Sequence, residues 1–173
     1  TRVYRGGAPV REIHELLRFN SRMPDTVLGD LGAQVAAIRT GTQRVEGIIE
    51  KFGTDVISTA LGRILDHGEE VSRAALGALP EGSWTAEDIL DDDGITDDPI
   101  TMKVRVTHKS GRFEIDFAGS PACVPGPVNL PFGSTLATCK VAFKALTTPD
   151  TSTNAGHMRP LSVHAEPGTL FNA

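Results

Sequence analysis

Apolar residues in the first half of the chain recur at helical spacing, and after residue 80 the period shortens to two. Val10, Ile13, Leu16 and Leu17 fall at i, i+3, i+6 and i+7 and predict a helix over about residues 9–20, with Pro9 at its first position. Arg22-Met23-Pro24 interrupts it, because the residue before a proline avoids the helical region. Leu28, Leu31, Val35 and Ile38 lie on one stripe, and Val45, Ile48, Ile49 and Phe52 continue it. This pattern predicts a second helix over about 26–52, capped by Asp25 or Thr26, bendable at Gly41 and stopped by Gly53. A third helix is predicted from a Thr54 or Asp55 cap to about Leu79. Its apolar face is Val56, Ile57, Ala60, Leu61, Ile64, Leu65, Val71, Ala75 and Leu79, and Pro80-Glu81-Gly82 ends it.

Beyond that turn Ile100, Met102, Val104 and Val106 alternate with polar residues, and Phe113, Ile115 and Phe117 do the same after Lys109-Ser110-Gly111, which predicts a β-hairpin. Four prolines between Pro121 and Pro131 predict an irregular loop, Ser134 to Leu146 a helix, and Leu161 to Ala165 a last strand. The expected fold class is α+β: a long-helix lobe over residues 1–79, then a mixed region containing the hairpin over 80–173.

Composition narrows the function classes. With 173 residues, 39% hydrophobic and 23% charged, the chain reads as an ordinary globular protein. A net charge of −5 offers no electrostatic case for nucleic acid or an anionic membrane, and no apolar run reaches the roughly 20 residues a spanning helix needs. Cys123 and Cys139 are too few for a disulfide scaffold and read as free thiols, so a cytoplasmic setting is expected. The chain starts at Thr1 without a leader-like stretch, and both ends read as cut from a longer protein.

Candidate chemistry is sparse. The acidic run Glu87, Asp88, Asp91, Asp92, Asp93, Asp97 and Asp98 does not fit an EF-hand loop, since Gly94 falls three places after Asp91 and no closing glutamate follows, so a solvated turn is expected there. His14, His67, His108, His157 and His164 show no zinc-ligand spacing, and no metal site is expected in this chain. Nor is there a phosphate-binding Gly-Lys-Ser/Thr element. Cys123 has no identifiable base beside it. The stiff loop from Pro125 to Thr135, carrying Asn129, leads into a helix N-terminus and reads either as a site loop or as a rigid turn capped by Ser134. A second loop groups Asn154, His157 and Arg159. Arg159 suits either a bidentate carboxylate contact or a salt bridge to the helical part. Inside the second helix Gly29, Gly32, Ala33, Ala36 and Ala37 permit close packing. Asp30, Gln34 and Arg44 are the polar members of an expected interhelix network or subunit contact.

Several of these segments occur together in a telling order: Asn20-Ser21-Arg22-Met23-Pro24, Gly29 to Ala37, Thr40 to Glu46, Asp116-Phe117-Ala118-Gly119-Ser120, Gly126-Pro127-Val128-Asn129 and Asn154 to Pro160. In this order the chain resembles the hydantoinase B/oxoprolinase family, from about residue 9 onward. Phe117-Ala118 replaces the family's more usual Phe-Ser or Phe-Thr. The resemblance implies one subunit, or one half, of an ATP-dependent enzyme that opens cyclic amides. An A-type partner would phosphorylate the ring carbonyl, and the B-type subunit would complete hydrolysis in a hetero-oligomer. ATP, magnesium and a divalent metal are implied for the whole complex and no cofactor for this segment, which lacks the family's Asn-Asp-Pro and paired-histidine elements. Alone it is expected to be inactive. The alternatives are a non-catalytic assembly domain and a segment of a related ATP-dependent ketone carboxylase. In the complete subunit Asn129, Asn154, His157 and Arg159 are expected near the substrate or the interface between subunits.

Overall fold

A computed structural model describes residues 2–173, which divide into two compact units, one ending at Thr59 and the other running from Ala60 to Ala173. In the first, strands β1 (Tyr4–Arg5) and β2 (Ala8–Pro9) form a small hairpin. Its two-residue turn is Gly6-Gly7, at φ +55° and +83°. Two consecutive left-handed residues are what such a turn needs and what side chains resist. Helix α1 (Arg11–Asn20) follows, so Pro9 belongs to the hairpin and not to the first helical turn. The proline that opens a helix is Pro24, at the start of α2 (Pro24–Phe52), which runs through Gly41 as one helix. Met23 occupies the N-cap with no side-chain cap, in place of the expected Asp25 or Thr26. Gly53 closes α2 at φ +81°, its N–H donating to Ile49 O at 2.8 Å. Arg39 of α2 donates to Gly7 O at 2.8 Å and lies over the Tyr4 ring, which holds the hairpin to the helix. No residue of α2 is buried in this chain, and Ile38, Val45, Ile48 and Phe52 are each about half exposed or more.

Helix α3 (Thr54–Gly77) leads into the second unit. There a four-stranded sheet has the order β3 (Gly82–Leu90), β4 (Ile100–Lys109), β5 (Arg112–Asp116), β6 (Leu161–His164). The first three are antiparallel, and β6 returns parallel to β5 after α4 (Phe132–Thr147), as a crossover with a helix permits. The β4–β5 turn is Ser110-Gly111, both at positive φ, where the expected hairpin turn lies. Helix α4 starts at Phe132 with Pro131 as N-cap, so Ser134 sits within the first turn and caps nothing.

Strand β3, like the short β1–β2 hairpin, was not predicted by periodicity. Residues 83–89 are all exposed, and Glu87 and Asp88 of the acidic run lie on it. A polar edge strand carries little alternation because neither face is fully buried, and its charges discourage further strand pairing. The core gathers Leu76 of α3, Phe113 and Ile115 of β5, and Cys139 and Phe143 of α4. The Phe113 and Phe143 rings stand 5.4 Å apart. Phe143 is 1% exposed, and burying a ring so fully contributes roughly 1.5–3 kcal/mol. The buried stripe of α3 is Gly68, Ser72 and Leu76, at i, i+4 and i+8. The apolar face expected for α3 is therefore only partly used: Val56, Leu61 and Ile64 stay more than half exposed.

Candidate functional site

Two loop assemblies in the second unit gather most of the polar residues singled out by sequence. The first joins the acidic turn after β3 to the proline-rich loop. Asp93 is 1% exposed, in contrast to the solvated carboxylate expected there. Its Oδ1 accepts from Thr96 N at 2.6 Å, Ile95 N at 2.8 Å and Thr96 Oγ1 at 3.2 Å, and its Oδ2 accepts from Gly126 N at 2.9 Å. Backbone N–H groups, Thr96 first and then Ile95, hold the carboxyl below its usual range against the opposing effect of burial. Gly126 is required at this crossing, since a Cβ there would lie 2.7 Å from the Asp93 carbonyl carbon and closer still to its oxygen. Gly133, by contrast, faces open space. Asn129 closes the loop upon itself: its Oδ1 accepts from Val124 N at 2.9 Å, and its Nδ2 donates to Val124 O at 2.7 Å and Gly126 O at 3.0 Å.

The second assembly is a short 3-10 turn, Ala155–Met158, laid against α3. Asn154 caps it, accepting from Gly156 N at 2.8 Å, while its Nδ2 reaches across to Ile64 O at 3.1 Å. His157 is 5% exposed. Its Nδ1 accepts from Asn154 N at 3.2 Å, completing a reciprocal cap, and its carbonyl accepts from Ser72 Oγ at 2.8 Å. Gly156 and Gly68 permit the approach: a Cβ on Gly156 would meet the backbone of Leu65, and one on Gly68 would meet Asn154 and His157. Arg159 Nη1 donates to Asp66 Oδ1 at 2.8 Å and Glu69 Oε2 at 2.9 Å. Glu69 also receives Arg73 Nε at 2.8 Å. Arg159, then Arg73, hold the Glu69 carboxyl below its usual range, while Asp66 and Glu69 raise the Arg159 guanidinium.

Asn154, His157 and Arg159 are thus brought together, and no hydrogen bond links Asn129 to them among the described residues. Asp30, Gln34 and Arg44 lie exposed on α2 without side-chain hydrogen bonds among the described residues. Sequence reading missed the α3 partners Asp66, Gly68, Glu69, Ser72 and Arg73. The spacing of 66, 69 and 73 on one helical face was available as a signal, but its counterpart some 90 residues away was not. It also missed Lys140 and Lys144, one turn apart on α4. They rim a cavity of about 530 Å³ that Asn154, Ala155 and Met158 also line.

Among the described residues no three His, Cys, Asp or Glu side chains converge as a metal ion requires, so the divalent metal implied for the complex has no fitting ligand set here. Cys123 is exposed, and Cys139 is buried in the core, where burial pushes its thiol pKa up. No helix among the described residues is long and apolar enough to cross a membrane.

The long helices, the mixed sheet with its parallel crossover and the two loop assemblies define an α+β chain. The structure superposes over its full length on an ATP-dependent caprolactamase from Pseudomonas jessenii, with a TM-score of 0.86 and 23% identity, covering 30% of that chain. It likewise matches an acetone carboxylase in a nucleotide-free structure, with a TM-score of 0.85 and 16% identity over 24% of that chain. At such identities the likeness is one of fold. In sequence, the profile of the Hydantoinase B/oxoprolinase family matches residues 1–173. A protein of Pseudomonas sp. (strain NS671), provisionally named as the B-type subunit of a D-/L-hydantoinase, is 34% identical over 99% of the chain and 31% of its own length. The chain belongs to the hydantoinase B/oxoprolinase family. It spans less than a third of the length of these relatives.

Proposed function

We propose that this chain is a segment of the B-type subunit of an ATP-dependent cyclic-amide hydrolase, acting on a hydantoin or lactam ring that an A-type partner has activated. The observation that supports this most is the family match along the whole chain, together with a relative that carries the name of a hydantoinase B-type subunit. ATP and magnesium would be bound outside these residues, and the divalent metal likewise, since no ligand set gathers here. An assembled complex is favoured by α2, which buries none of its residues and leaves an apolar stripe from Ile38 to Phe52 for a partner to cover. The setting would be cytoplasmic, with a hetero-oligomer as the working form.

Within that subunit, the Asn129 loop and the Asn154–Arg159 turn would approach the substrate or the interface between subunits as positioning parts. The side-chain amides of Asn129 and Asn154, His157 Nδ1 and Arg159 Nη1 are engaged within the chain, which suits holding a wall in place better than transferring protons. Lys140 and Lys144 beside Asn154 would attract an anionic group there. Asp30, Gln34 and Arg44, exposed on α2, would then serve at a subunit contact. A second reading, a ketone carboxylase segment, is favoured by the equally close fold likeness to acetone carboxylase.

The test is to express the complete subunit with its A-type partner and assay ATP-dependent opening of 5-oxoproline, hydantoin and caprolactam, alongside ATP- and bicarbonate-dependent consumption of acetone. Ring opening supports the first reading and acetone consumption the second. Neither activity, with a stable complex, would support a purely assembling role.

A further inference from the structure

The cavity of about 530 Å³ beside α4 has the size of a small-ligand pocket, about 300–1,000 Å³. Helix α4 gives one wall, Lys140, Val141, Lys144 and Ala145, and the segment after the helix gives Pro149 and Met158. Val141 is 69% exposed, so the apolar part of the helix wall is open to an occupant. Lys140 and Lys144 stand one helical turn apart, where like charges disfavour one another. Neither forms an ion pair among the described residues, not even with Asp150, the neighbour of Pro149. Lys144 Nζ has one long hydrogen bond, to Thr151 Oγ1 at 3.3 Å, and Lys140 Nζ has none among the described residues. Other cations of the same unit are answered: Arg73, Lys103 and Arg159 meet carboxylates at 2.8, 2.9 and 2.8 Å. In a chain with 22 acidic and 17 basic residues, two neighbouring lysines without a counter-charge are unusual company for an apolar wall. No acidic side chain lines the cavity among the described residues.

We propose that this cavity binds a molecule with an apolar body and a single carboxylate. The body lies against Val141, Ala145, Pro149 and Met158, and the carboxylate is held by Lys140 and Lys144. Two ammonium groups on flexible stems, one turn apart, can each donate to one carboxylate oxygen. A molecule carrying an ammonium group is disfavoured, because no acid answers it there and the lysines repel it. The proposal rests on the reading above that these lysines face an anion, and not on which ring the subunit opens.

Calorimetric titration of the complete subunit with 4-phenylbutanoate, 4-phenylbutan-1-ol and 4-phenylbutylamine at low salt tests it, since the three share one apolar body and differ in the charge of the end group. The acid should bind about tenfold more tightly than the alcohol, as charge-assisted contacts at a partly exposed rim allow, and the amine most weakly. The acid's advantage should shrink at about 0.5 M salt. Replacing both lysines, Lys140→Gln with Lys144→Gln, touches no core residue and should bring the acid down to the affinity of the alcohol. Val141→Glu puts a carboxylate on an exposed position of the same wall and should reverse the order, amine over acid. Equal binding of acid and alcohol would overturn the proposal. So would an advantage of the acid that survives the double lysine replacement, or no saturable binding of the acid, which would mean that another part of the subunit covers the cavity. Binding is read here without turnover, so a subunit that takes the acid and opens no ring refutes only the function proposed above.

Discussion

Replacing Gly156 with alanine puts a methyl group where the backbone of α3 already runs. The new Cβ would lie 2.6 Å from the carbonyl carbon of Leu65 and 2.8 Å from its Cα. Carbon atoms in ordinary contact stand about 3.5 Å apart or more, so the 3-10 turn would have to withdraw by at least about 0.9 Å. The bonds it makes with α3 cannot follow. Ser72 Oγ to His157 O is now 2.8 Å and Asn154 Nδ2 to Ile64 O is 3.1 Å. Lengthened by that amount, both leave the bonding range. Two such bonds contribute roughly 2 kcal/mol, and overpacking a closed contact adds about 1–3 kcal/mol. Gly156→Ala should therefore destabilise by roughly 3–5 kcal/mol, which for a chain of this size lowers the melting temperature by about 10 °C. Thermal unfolding followed by circular dichroism measures it. Gly62→Ala and Gly133→Ala are the controls: both glycines lie in helices and a Cβ on either meets nothing within 4 Å, so each should hold or raise stability by up to about 1 kcal/mol. A Gly156→Ala protein melting within about 2 °C of the parent would refute the close approach of the turn to α3.

Further outcomes follow from the same geometry. The depressed carboxyls of Asp93 and Glu69 stabilise the fold above the ordinary carboxylate range, and that contribution is lost as pH falls through their lowered native values. Melting temperature should therefore fall between pH 5 and about 3, and Asp93→Asn should be less stable at pH 7 with a gap that narrows on acidification. Native alkylation with iodoacetamide followed by peptide mapping should label exposed Cys123 and spare Cys139 until denaturant is added, because Cys139 is buried and its thiol pKa is raised. Asn129→Ala removes three hydrogen bonds at a half-buried site and should cost about 2–3 kcal/mol in denaturant unfolding. In the assembled enzyme, turnover per folded molecule then separates a wall residue from one that meets substrate.

The α+β class, the four α-helices, the β4–β5 hairpin, the last strand and the family were legible in the amino-acid sequence alone. Helical spacing located α1, α2 and α3, period-two alternation located β4 and β5, and Gly53 and Ser110-Gly111 marked a helix end and a turn, because each signal is carried by neighbours a few residues apart. The same local logic misassigned Pro9, whose fixed φ suits a strand end as well as a helix start, and missed β3, whose exposed edge leaves no apolar alternation to read. Long-range pairing was decided only in three dimensions. Asp93 reads as one more acid in an acidic run until Gly126, 33 residues on, supplies an N–H and a gap to bury it. His157 and Arg159 were visible as a polar group, but their partners on α3 lie roughly 90 residues back, and no spacing rule reaches that far. Gly68 and Ser72 look like weak points of an amphipathic helix, yet they form its most deeply buried stripe, because the element packed there is a backbone turn and only small residues let two backbones meet.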